Sequence, residues 1–151
     1  MNRTRAPFQA MSAENRDRLM ALSREVSFPA GARIFEEGGR ADHFWIIRTG
    51  AVQLDLHVPG RRAPVVETLG AGDLLGWSWL FAPYRWHFGA EALSLVRTRE
   101  FDAERVRALC TEDPVLGQQL ALACAEVVAH RLTVSRSRLL DLYGPHSAVR
   151  M

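Results

Sequence analysis

The sequence predicts a mainly β domain flanked by helices, and three observations carry that expectation. Between residues 26 and 101, short runs rich in Val, Ile, Phe and Trp alternate with Gly, Pro and Asp at spacings of about ten residues, a sandwich or barrel pattern. Ahead of it, residues 8 to 25 place Met11, Leu19, Met20 and Leu22 among charges in a helical rhythm. Behind it, no breaker interrupts the chain from Pro114 to Gly144-Pro145, which is room for one long helix.

The elements follow in chain order. Ser12-Ala13-Glu14 offers a capped start to the first helix, expected within 8 to 25. Strands are expected at Glu25–Phe28, Arg33–Phe35, His43–Thr49, Ala51–Val58, Ala63–Leu69, Leu74–Leu75, Gly89–Ser94 and Arg97–Asp102. Pro59-Gly60-Arg61-Arg62 reads as a hairpin turn, and Ala82-Pro83-Tyr84 breaks the chain after a short helical turn. Asp102 opens a short helix reaching Cys110, and Asp113-Pro114 is a cap followed by a first-turn proline for the long one. Residues 1–143 then form one domain and 144–151 a loose tail.

The long helix shows two apolar faces. Ala125, Val128, Leu132, Ser135, Leu139 and Leu142 are spaced three, four, three, four, three, the seam of a two-stranded coiled coil. Leu116, Leu120, Cys124 and Val127 form a second face that can pack on the β domain. A homodimer through this helix is the expectation.

Composition narrows the function. The 151 residues suit a single domain, and a net charge of +2 gives no strong field for nucleic acid or an acidic membrane. No apolar run approaches the ~20 residues that span a bilayer. Charged residues near the N-terminus have no apolar stretch behind them, so no signal peptide is read and a cytoplasmic location is expected. Cys110 and Cys124 lack CxxC spacing and read as buried, reduced thiols. No His-x-His pair, nucleophile elbow, P-loop or dinucleotide glycine motif is present, so neither a metal site nor an enzyme is expected.

The densest signal is aromatic. Trp77, Trp79, Phe81, Tyr84, Trp86 and Phe88 fall within twelve residues. They can pack on one another as core, line a pocket for a small planar or apolar ligand stacked on indole, or form a protein-docking patch.

Three stretches resemble one family. Phe28-Pro29-Ala30-Gly31-Ala32-Arg33-Ile34-Phe35-Glu36-Glu37-Gly38 is similar to the opening of a cyclic-nucleotide-binding domain. Phe44-Trp45-Ile46-Ile47-Arg48-Thr49-Gly50-Ala51-Val52 resembles its next strand pair, and Leu69-Gly70-Ala71-Gly72-Asp73-Leu74-Leu75-Gly76 the run into its phosphate-binding cassette. The resemblance covers about residues 8 to 143. It implies a β jelly roll flanked by helices with the C-terminal helix as dimer stalk, as in catabolite activator and fumarate-nitrate regulator proteins.

Two departures from that family shape the functional expectation. The resemblance puts a Glu, for the ribose hydroxyl, where this chain has Trp77, and an Arg, for the phosphate, where it has Trp86. Arg85 stands one residue away, and the backbone N–H groups of Gly76, Trp77 and Ser78 open a short helix that can hold an anion. No cofactor is expected, and a cyclic nucleotide is expected to bind weakly. The family's transcription factors also continue past the stalk into a winged helix-turn-helix, which these residues do not contain, so sequence-specific DNA binding is not expected. The reading is a ligand-sensing or regulatory module that signals to a partner protein. Its candidate ligand residues are Gly76, Trp77, Ser78, Trp79, Arg85, Trp86, His87 and, facing in from the stalk, Ser135. A true cyclic AMP or cyclic GMP receptor, and an interaction subunit without a small ligand, are the alternatives.

Overall fold

A computed structural model of the protein describes residues 8–60 and 64–143. The expected tail at 144–151 and the centre of the expected hairpin turn lie outside those residues. Helix α1, Ala13–Met20, starts where Ser12 Oγ accepts from the Asn15 N–H at 3.2 Å. It is much shorter than the 8–25 run that the sequence pattern predicts. The Leu22 N–H bonds the Leu19 carbonyl and Ser23 Oγ donates to the Met20 carbonyl at 2.6 Å, which ends the helix. Ser23–Phe28 then becomes strand β1, paired residue for residue with the last strand of the domain. That long-range ladder outweighs a weak helical pattern.

Seven further strands follow: β2 Arg33–Phe35, β3 His43–Thr49, β4 Val52–Asp55, β5 Val65–Leu69, β6 Leu74–Leu75, β7 Gly89–Ala92 and β8 Val96–Asp102. They form two antiparallel four-stranded sheets, ordered β1-β8-β3-β6 and β2-β7-β4-β5. This is the jelly roll that the resemblance implies. Strands β4 and β7 are shorter than predicted: the β4–β5 ladder shifts register between Leu54 and Asp55, where β4 ends, and β7 ends at Ala92, opposite Val52 at the start of β4. Strands β5 and β6 are each an edge of their sheet, with one side of the backbone left without a ladder partner.

Helix α2, Ala103–Glu112, is capped by Asp102, whose Oδ1 accepts from the N–H groups of Glu104 at 3.0 Å and Arg105 at 3.2 Å. Helix α3, Pro114–Tyr143, begins where Asp113 Oδ1 accepts from the Leu116 N–H at 3.2 Å. Leu116, Leu120, Cys124 and Val127 are buried in the hydrophobic core, where α3 packs chiefly on α2. Gln119 accepts from the Ser12 N–H and from Asn15 Nδ2, and Arg18 pairs with Asp113, tying α1 to the start of α3.

Successive residues on β3 point to opposite faces and divide the aromatic core in two. Phe44 stacks on Trp79 at 4.2 Å and on Phe101 at 4.7 Å between centroids. Trp45, on the other face, stacks with Phe35 and Trp86, and its Nε1 donates to buried Glu100 at 2.9 Å.

Candidate functional site

The segment after β6 places the aromatic cluster. Gly76 adopts φ +95°, which turns the chain out of the strand and into a short 3-10 turn at Ser78–Leu80. The residues that follow diverge. Trp79 is fully buried against Phe44, and its carbonyl accepts from Arg107 Nη1 at 2.7 Å. Trp86 is buried too, stacked on Phe35 at 3.9 Å and lying over Gly76. Both indoles therefore serve the core. Phe81 and Tyr84 sit at the exposed tip of the loop, with the Arg107 guanidinium 4.2 Å over the Tyr84 ring.

Trp77 is the indole that faces open space. It lines a cavity of about 180 Å³ between the second sheet and α3. Leu54, Val66, Glu67 and Phe88 come from the sheet side, and Val128, Arg131, Leu132 and Ser135 from the helix. His87 stacks on the outer face of Trp77 at 4.6 Å, and its Nδ1 is 2.8 Å from buried Ser78 Oγ. Those contacts fix the indole's orientation from outside the cavity.

Of the residues singled out in the sequence, Trp77 and Ser135 line the cavity and Ser78 and His87 support Trp77 from behind. Gly76 forms the turn beneath. Trp79 and Trp86 lie in the core. Arg85 is exposed, its Nη1 3.5 Å from the Gly38 carbonyl and its backbone bridged to Arg40, so its guanidinium lies outside the cavity.

Sequence reasoning did not find the cavity's charged groups. Arg131 reaches from α3 into the interior, donates through Nη2 to the Leu74 carbonyl, and has Nε 3.8 Å from Glu67 Oε1. Burial lowers the Arg131 pKa, against the pull of Glu67 and Asp73. Burial raises the Glu67 carboxyl above its ordinary range, partly offset by Arg131 and Arg138. Arg138, further along α3, donates to the Val66 carbonyl. One faint signal was present: Glu67 is a lone acid in the otherwise uncharged run Val65-Val66-Glu67-Thr68-Leu69. Nothing local links it to Arg131, which is far away in sequence.

Among the described residues, no group of three or more His, Cys, Asp or Glu is placed to hold a metal ion. No helix among them is long and apolar enough to cross a membrane.

The chain thus combines a jelly roll with a cavity bounded on one side by a long helix. Comparison with known proteins supplies the family. The cyclic nucleotide-binding domain family matches residues 25–113, more than half of the chain, and the protein belongs to that family. A CRP-like cAMP-activated global transcriptional regulator of Mycobacterium tuberculosis is 28% identical over 127 residues, covering 82% of this chain and 55% of the relative. The chain thus spans about half the length of the curated relatives it matches. A cyclic nucleotide-binding protein from Geobacter metallireducens has a solved structure with 30% identity and a TM-score of 0.73, covering 83% of this chain and 91% of that one. The catabolite activator protein of Thermus thermophilus shares the fold with a TM-score of 0.72 at 22% identity, over 92% of this chain and 63% of its own.

Proposed function

We propose that this chain is a ligand-sensing regulatory domain. A small molecule in the cavity beneath α3 biases the position of that helix, and the helix carries the signal to a partner protein. The observation that carries the reading is shared residues. Val128, Leu132 and Ser135 line the cavity and also belong to the three-four spaced seam of α3. Leu132 and Leu139 on that seam are 69% and 56% exposed, so the single chain leaves it uncovered. A homodimer through α3 would cover it. Whatever fills the cavity then touches the face that would meet a second helix, which gives a ligand differential contacts in two helix positions.

The cavity is a poor match for a cyclic nucleotide. Trp77 stands at the expected position of the ribose-binding Glu, and Trp86, at the expected position of the phosphate-binding Arg, is buried in the core. Each lost charge-assisted contact removes roughly 1.5–3 kcal/mol. Cyclic AMP should therefore bind at best in the high-micromolar range, as measured by calorimetric titration. Sub-micromolar affinity would overturn this reading of the cassette. Native mass spectrometry of protein purified from cells that naturally make it tests the sensor role itself. A retained small molecule is the expected result, and a bare protein that also shows no response of α3 to any cell extract would count against sensing.

A further inference from the structure

We infer that the cavity takes an uncharged planar compound of one or two fused rings, carrying a hydrogen-bond donor and acceptor side by side, and not a phosphate ester. This rests on the cavity being the sensing site. Size sets the first limit. The cavity holds about 180 Å³. An engineered apolar cavity of ~150 Å³ accommodates benzene, so the space suits a small ring system and not a base, sugar and phosphate together. The walls set the shape. Trp77 and Phe88 offer aromatic surface on the sheet side, and Val128 and Leu132 aliphatic surface on the helix side, a slot for a flat body.

Charge balance sets the chemistry. Glu67 and Arg131 both line the cavity, Nε to Oε1 at 3.8 Å, with side chains 18% and 12% exposed. The other groups acting on Glu67 are Arg138 and His130, which favour its charge, and Asp73, which opposes it. Arg131 and Arg138 set against Glu67 and Asp73 make two formal positive and two formal negative charges around the cavity. An added anion would face Glu67 and draw Arg131 from the Leu74 carbonyl, leaving a strand-edge acceptor unmet. An added cation would meet the converse penalty at Arg131. A neutral lactam edge leaves the balance intact: its C=O accepts from the guanidinium while its N–H donates to the carboxylate. Ser135 supplies one further hydroxyl at the exposed margin.

The test titrates the full chain by calorimetry with hypoxanthine and 2-quinolone as uncharged lactams. N-methyl-2-quinolone, quinoline-2-carboxylate and cyclic AMP serve as comparisons. Saturable binding of at least one lactam is expected, with its N-methylated or anionic counterparts about tenfold weaker or worse. Val128→Trp, which fills the slot from the helix side, should abolish lactam binding while circular dichroism still reports a folded protein. Glu67→Gln should weaken the lactam and narrow its advantage over quinoline-2-carboxylate. Failure of both lactams to saturate overturns the inference. So does tighter binding of the carboxylate or of cyclic AMP, although loss of that binding in Val128→Trp would leave the sensing site standing. A ligand retained from the native cell that survives Val128→Trp unchanged would remove both the inference and the site.

Discussion

Gly76 and Gly72 show how much one carbon atom can decide. Both hold positive φ, +95° and +88°. A Cβ on Gly76 would lie 2.8 Å from the Trp86 ring, whereas one on Gly72 meets nothing within 4 Å. Gly72→Ala should cost about 1 kcal/mol for the left-handed backbone alone, and Gly76→Ala about 1–3 kcal/mol more for the clash. Denaturant midpoints of the two variants check the order. Cys124 offers a pH test. Burial pushes its thiol up to about 12 from the ordinary 9.0, with Cys110 adding to the effect and Arg131 opposing it. A raised folded-state pKa means its contribution to stability is complete below pH 9 and is lost as pH climbs toward 12. The slope is up to about 1.4 kcal/mol per pH unit. Cys124→Ala should flatten the fall in unfolding free energy between pH 8 and 11 relative to the parent protein. At this scale the sequence was uneven. It flagged Trp77 through its neighbours and the resemblance, yet treated Trp79 and Trp86 alike with it. Adjacent residues on a turn point in different directions, and only the turn's geometry sorts core from cavity.

Among the elements, α3 was the most legible and α1 the least. The Asp113-Pro114 start and both apolar faces of α3 are encoded by spacing within the helix itself. The end of α1 is instead set by β8, more than seventy residues away, which claims Ser23–Phe28 as a strand. The seam of α3 yields a direct prediction. Leu132→Asp with Leu139→Asp should give monomers by light scattering, because unpaired charges cannot be desolvated between facing helices. A dimer that persists in this variant would place the interface elsewhere. A second prediction concerns the roll-facing side. Arg138→Ala removes the donor to the Val66 carbonyl, so amides in the second half of α3 should exchange faster while those around Leu116 and Leu120 keep their protection.

At the scale of the whole chain, a net charge of +2 predicts weak binding of these 151 residues to duplex DNA. That binding should be indifferent to sequence and fall steeply as salt rises in gel shifts. Tight, sequence-selective binding at physiological salt would contradict it. The two sheets could be anticipated from alternating runs and turn residues, and their closure into a jelly roll from the resemblance. The cavity could not, because it is assembled from five separate stretches of chain: strands β4 and β5, the turn at Trp77, the residue entering β7 and a distant helix. The guanidiniums of α3 have a mechanical meaning that follows from this assembly. Arg131 answers a carbonyl on β6 and Arg138 one on β5, so a single rod is pinned to a free margin of each sheet. Pulling the rod away would free one carbonyl on each margin, Leu74 on β6 and Val66 on β5. Under the proposed sensing role, a ligand beneath this helix would act as a shim between the two anchors.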